Sequence, residues 1–294
     1  MYTVSPVTEG RNGQPKVRLA GGEHSCDVYL YGCTVASWVH SGTEKLFCSP
    51  ITPFDGKKAI RGGIPLVFPQ FGRPDESMPQ HGFARTSNWT LAGTGGGESA
   101  IAVFGLTNGE HSLSWPHKFA LEYTVELSAA GLRTSIKISN TDATPFSCQT
   151  LLHTYVAVPA IERVQVRGLQ GSYYDQLAAC TAQDDRAVAT VDAEVDRIYT
   201  ASVANPPSVE VAADGLLLVK VDRRAYKLIG DAPLPIPTPA DVVFWNAWVD
   251  KTASIGDLEN DAYLRYICVE PGVVSSAQEV QPGTSMVLEQ TLTC

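Results

Sequence analysis

The sequence is short of the features that mark several protein classes. It contains no CxxC pair, and its seven cysteines (Cys26, Cys33, Cys48, Cys148, Cys180, Cys268, Cys294) form an odd, scattered set. That pattern argues against a disulfide framework and for a reducing compartment. No stretch reaches the roughly 18 apolar residues of a membrane-spanning helix. The opening MYTVSPVTEGRNGQPK lacks the apolar segment of a secretory signal, and the closing LTC is neither a peroxisomal nor a retention tag in its usual form. The expected compartment is therefore the cytoplasm. Histidine is scarce, with six in the chain, and none is spaced i, i+4 around an acid. No metal is expected, nor any other cofactor. Positive charge is also short: the net charge is −9, with no basic run, which excludes nucleic acid and anionic membrane as partners.

What is present is enough apolar residue for a core. With 294 residues and 44% hydrophobic content, about three quarters of the unfolded surface can be buried without covalent staples. Period-two patterns dominate. Leu121, Tyr123, Val125 and Leu127 alternate with polar residues, a Ser128–Gly131 turn follows, and Leu132, Thr134, Ile136 and Ile138 alternate again. This is the pattern of a half-buried antiparallel hairpin. Lys16–Leu19 with Ser25–Tyr31, and Val209–Val211 with Leu216–Val221 across Ala213-Asp214-Gly215, predict two more hairpins. Ala100–Leu106, Val164–Val166 and Met286–Leu292 add further strands, and no segment gives a long amphipathic helix. The Pro-rich stretch from Pro233 to Pro239 is read as a loop crossing a sheet edge, since strand chemistry resumes at Val242. The expected fold is all-β, a sandwich or barrel built from short antiparallel strands.

The stretch from Ile60 to Trp89, IRGGIPLVFPQFGRPDESMPQHGFARTSNW, is the least regular and the richest in chemistry. Its Gly and Pro residues forbid one continuous helix and leave a looped ribbon. On it sit Arg61, Gln80, His81 and Arg85, held between apolar anchors. Either the arginines face water, or they form a local positive site on an otherwise acidic protein.

Two strand-like segments carry isolated ionisable groups. In LLHTYVAV an extended chain sets Leu151, His153, Tyr155 and Ala157 on one face and Leu152, Thr154, Val156 and Val158 on the other. His153 is then a satisfied core histidine or a proton donor lining a site. In YICVEPG, Tyr266, Cys268 and Glu270 share one face, and Pro271-Gly272 is expected to end the strand. Glu270 is a surface residue at that end, or a carboxylate with work to do.

RGGIPLVFPQFG followed by PQHGFAR and a Trp closely resembles the hexose-6-phosphate mutarotases, or glucose-6-phosphate 1-epimerases, of the aldose 1-epimerase superfamily. The likeness recurs more weakly in LLHTYVAV, DRIYT (Asp196–Thr200), VFWNAW and YICVEPG, and so spans most of the chain. The resemblance implies the large antiparallel sandwich of the galactose mutarotase-like fold, with residues 1–294 as one domain. It assigns His153 and Glu270 as the catalytic pair and Arg61, Gln80, Arg85 and Asp196 as substrate contacts, with His81 a hydrogen-bonding neighbour of the sugar. The implied reaction is exchange of α and β anomers of a hexose 6-phosphate: Glu270 takes the O1 proton, His153 protonates O5, and Arg61 and Arg85 hold the phosphate. For Asp196 two roles stay open, binding sugar hydroxyls or orienting a guanidinium. The partner is then a small sugar phosphate, and a monomer is expected. The alternatives are an epimerase of unphosphorylated aldoses, which the paired arginines disfavour, and a non-catalytic carbohydrate-binding sandwich. Two departures from the family pattern stand out: Ala247 in VFWNAW, where many members carry proline, and the run Ile255–Tyr266 leading to the Glu270 strand.

Overall fold

A computed structural model describes residues 1–200, 208–230 and 235–294. The alternating segments pair as their patterns predict. Phe119–Ser128 and Gly131–Asn140 form a hairpin in which Leu121 faces Ile138 and Tyr123 faces Ile136. Val209–Ala213 turns into a long strand, Leu216–Ile229, and Pro15–Gly21 turns into His24–Tyr29. Among the described residues the strands assemble into three sheets of nine, eight and six strands, with antiparallel pairing throughout the ladders. The one α-helix among them, Trp248–Ala253, is six residues long.

The nine- and eight-stranded sheets pack face to face. Leu121, Tyr123, Ile136 and Leu288 of the first share one apolar core with Leu152, Val156, Phe244, Ile267 and Val269 of the second, joined by Val17, Val28 and Trp38 of the six-stranded sheet. This burial is the main stabilising contribution, at about 25 cal/mol per Å² of apolar surface. Polar bonds also cross between the two sheets, among them one from the Thr154 hydroxyl to the side-chain oxygen of Gln290 at 2.9 Å. The other face of the eight-stranded sheet is covered differently. It carries two smaller apolar clusters, Val67, Leu151, Ile198, Val243 and Val274 on one side and Phe47, Tyr155, Tyr266 and Cys268 on the other. The ionisable residues lie between them.

Two expectations need correction. Pro271-Gly272 does not end its strand, which runs unbroken from Tyr266 to Val280. Proline is tolerated there because the neighbouring strand is itself interrupted, between Phe146–Leu152 and Tyr155–Ala157. The Val269 amide donates across that edge to Thr154. Two residues on, the amide that Pro271 lacks would point to the same side, toward the gap. The second correction concerns the Pro-rich stretch. Its first two residues lie outside the described ones, but Ile236–Thr238 form a short strand beside Ala225–Lys227. A proline fits such an edge strand, where its missing N–H needs no partner.

Candidate active site

The interrupted strand is what brings His153 and Glu270 together. Leu151 lies opposite Gly272 and Tyr155 opposite Cys268. Carried through the gap, that register sets His153 directly across from Glu270 on the same face. Cross-strand neighbours of this kind have Cβ atoms about 5 Å apart, and the imidazole Nδ1 stands 3.2 Å from Glu270 Oε1. Both residues are buried, at 7% and 1% exposure. His153 stacks on Tyr155 with ring centroids 4.7 Å apart and meets the edge of Trp245 at 5.7 Å. Neither Nδ1 nor either carboxylate oxygen has a hydrogen bond of good geometry.

Burial dominates the electrostatics of the pair. It pushes the Glu270 carboxyl well above the usual carboxylate range, helped by Asp196 and opposed by Arg85. It pulls the His153 imidazole well below its ordinary value, and Arg85 and Arg61 pull it further. The neutral pair and the ion pair contain the same single shared proton. What the surroundings decide is which partner carries it.

The looped ribbon supplies the remaining groups. Arg61 is placed by the Gly62-Gly63 turn. Gly63 has φ +68°, and a Cβ there would lie 2.0 Å from the Val35 carbonyl oxygen, so the chain threads where only glycine fits. The Arg61 Nε donates to Asp257 Oδ1 at 3.0 Å. Burial favours loss of its proton, but Tyr155 and Asp257 outweigh that and hold the guanidinium charged. Arg85 differs. Its guanidinium donates to the Gln80 carbonyl at 2.8 Å, and among the described residues it has no ion-pair partner. Burial and the nearby Arg61 pull it down to about 10. Among the described residues, only Arg61 of the two guanidinium groups is paired with a carboxylate, that of Asp257.

His81 adopts φ +66°, a conformation uncommon outside glycine and a mark of constraint. Its Nδ1 accepts the Gly72 amide at 3.1 Å. Burial and the arginines keep the ring neutral, so its one proton sits on Nε2, free to donate. Asp196 comes from the Val195–Tyr199 strand, accepts a hydrogen bond from Gln176, and is pushed up to about 6 by burial.

All seven residues singled out in the sequence, Arg61, Gln80, His81, Arg85, His153, Asp196 and Glu270, line one cavity of about 370 Å³. A roomier hollow of about 610 Å³, over Thr90, Glu122, Lys137 and Ser139, contains none of them. Sequence reasoning missed several residues of the site. Asp257 is the carboxylate that orients Arg61, a role left open for Asp196, and it lies in the very run that departs from the family pattern. Gln176, Trp245 and Lys251 also line the cavity. Tyr155, which stacks on His153, stands in a segment whose alternation set it on the same face as His153. No pattern flagged Gln176 or Asp257.

Comparison with known proteins decides the family. Residues 15–293 match the model of the family described as aldose 1-epimerase. The chain belongs to that family. This aldose epimerase is therefore an isomerase, and its chemistry is interconversion of sugar anomers. A curated relative from Cenchrus ciliaris, named "Putative glucose-6-phosphate 1-epimerase", is 34% identical over 92% of this chain and 82% of its own length. Among solved structures, a "putative mutarotase" from Salmonella typhimurium superposes with a TM-score of 0.77 at 24% identity, covering 98% of this chain and 96% of the other. The galactose 1-epimerase from Lactobacillus acidophilus has the same fold, with a TM-score of 0.69 at 12% identity over 99% and 98% of the two chains. The epimerase thus has the galactose mutarotase-like sandwich expected from its sequence.

Proposed function

We propose that the protein interconverts the α and β anomers of hexose 6-phosphates, chiefly D-glucose 6-phosphate. The observation that carries this reading is Arg85, a charged group without an acid partner among the described residues, beside Arg61 at the cavity that holds the His153–Glu270 pair. A phosphate on C6 supplies the missing negative charge and takes forked hydrogen bonds from guanidinium groups. The name of the Cenchrus ciliaris relative supports the same substrate.

In the reaction Glu270 removes the O1 proton and His153 protonates the ring oxygen O5. The C1–O5 bond breaks, the aldehyde carbon turns about C1–C2, and closure from the other face runs the proton transfers in reverse. His81 Nε2, Gln80 and Asp196 bind sugar hydroxyls. A bound phosphate dianion offsets Arg61 and Arg85, the two charges that depress His153, and so favours the arrangement with the proton on imidazole and the carboxylate free as base. The protein works as a monomer in the cytoplasm, with residues 1–294 as one domain.

The test is anomer exchange followed by NMR with glucose 6-phosphate, glucose and galactose. Fast exchange of glucose 6-phosphate and slow exchange of the two free sugars is the expected outcome. Equal rates on all three would overturn the phosphate assignment. Sugar binding without any acceleration would leave a carbohydrate-binding protein instead of an enzyme acting on this substrate.

A further inference from the structure

One group of side chains at the site has a chemistry that anomer exchange does not use. Cys268 precedes Glu270 by two residues on the same strand and presents its sulfur on the same face. One ligand atom each from His153, Cys268 and Glu270 lie within 4.8 Å of one another, and all three residues are buried. Among the described residues, the His153 Nδ1 and both Glu270 oxygens make no hydrogen bond of good geometry, and Nδ1 stands 3.2 Å from Oε1. Nitrogen, sulfur and carboxylate oxygen together form a donor set for a borderline-soft, tetrahedral cation.

We propose that His153, Cys268 and Glu270 form an inhibitory site for zinc-like divalent cations, with the fourth position open to the sugar cavity. Ligand distances of about 2.0–2.3 Å around zinc require the donor atoms to draw in from the 4.8 Å within which they lie. Magnesium and calcium prefer six or more oxygen ligands and gain little from this set. A bound zinc ion engages the atoms that would take and give protons in anomer exchange, so the protein loses activity as it loads. The binding stands on the side chains alone; the inhibition rests on the acid–base roles proposed above. Cys268 is the residue that separates this site from the catalytic pair, because it touches no reacting atom in that mechanism.

The experiment uses the full chain with the two exposed thiols removed, Cys180→Ser and Cys294→Ser, in a phosphate-free buffer that does not bind metals. Zinc chloride is titrated by calorimetry, and cobalt chloride by absorbance, where a thiolate–cobalt charge-transfer band reports sulfur ligation. One equivalent is expected to bind with that band present. Cys268→Ser, close in shape to the parent residue, is expected to lose the band and bind zinc at least about tenfold more weakly. It is also expected to keep its rate of glucose 6-phosphate anomer exchange while becoming resistant to zinc. No binding, binding without the band, or equal zinc sensitivity in Cys268→Ser would each overturn the proposal. The band in a protein without exchange activity would keep the metal site and remove the enzymatic reading, so the two failures are told apart. The band does not require replacing Cys268, which guards against a Cys268 variant that does not fold.

Discussion

At the scale of single residues, the site is a set of charges held in unfavourable surroundings. Glu270 is buried, and among the described residues its oxygens accept no hydrogen bond of good geometry. Such a group costs stability that the fold must supply elsewhere, which fits the acid–base role proposed for it. Replacing Glu270 by Gln or His153 by Ala is expected to lower kcat for anomer exchange by about 10²–10⁴-fold, with a much smaller change in KM. Near-normal turnover in either variant would remove the acid–base assignment. Arg85 should behave oppositely. Arg85→Ala is expected to raise KM for glucose 6-phosphate while leaving the free-sugar reaction nearly unchanged, because only the phosphate uses that charge. Asp257 acts one step away, through Arg61. Asp257→Asn keeps a hydrogen-bond acceptor but removes the charge, so KM for the phosphorylated sugar should rise less than in Arg85→Ala and kcat should hold. A pure loss of stability, read as a lower melting temperature with unaltered KM, would deny Asp257 that positioning role.

At the scale of elements, the site depends on one interruption and one turn. The break after Leu152 lets His153 leave the ladder: its own amide bonds to Pro65 and the Tyr155 amide to Gly63, so the ribbon takes the place of the missing strand partner. The ribbon is pinned in turn by Gly82, which has φ +70° and would put a Cβ 2.0 Å from the Phe68 carbonyl oxygen. Gly82→Ala is expected to cost at least about 2 kcal/mol in stability, from left-handed strain together with a backbone clash. The ribbon carries His81 and Arg85 on either side of that glycine, so KM for glucose 6-phosphate should rise as well. Urea denaturation and steady-state kinetics on the same protein check both halves. An unchanged unfolding midpoint would mean that the close approach at Gly82 does not fix the ribbon.

At the scale of the molecule, the site draws on stability stored in the sandwich. Asp196 gives this a pH signature. Its carboxyl is pushed up to about 6 in the folded protein by burial, against an ordinary value near 4. A raised carboxyl favours the protonated form, so its contribution to stability is complete below the unfolded value and is lost as pH rises through about 6. Asp196→Asn removes the charge that costs stability at neutral pH. Its melting temperature should exceed the parent's by a few degrees at pH 7 and match it near pH 4. Equal melting temperatures at both pH values would show that the carboxylate is well solvated in the folded state. The gain should come with weaker sugar binding, the common exchange between stability and function at a site.

The amino-acid sequence by itself determined the strands, their faces and which ionisable residues come together at the cavity. Period-two alternation is a local property, so the hairpins at 119–140 and 209–229 and the shared face of Tyr266, Cys268 and Glu270 were legible without any contact. The motifs around Arg61, His153 and Glu270 likewise lie in continuous runs. Only the tertiary structure decided what depends on pairs distant in the chain. Asp257 meets Arg61 across 196 positions, and neither carries a local mark of the other. Gln176 meets Asp196 through neighbouring strands. The strand through Pro271 continues because the chain at 153–154 leaves a gap beside it, and a proline read in isolation signals the reverse. Local chemistry names which residues can react. The register between strands, set by packing of the whole sandwich, decides which of them face one another.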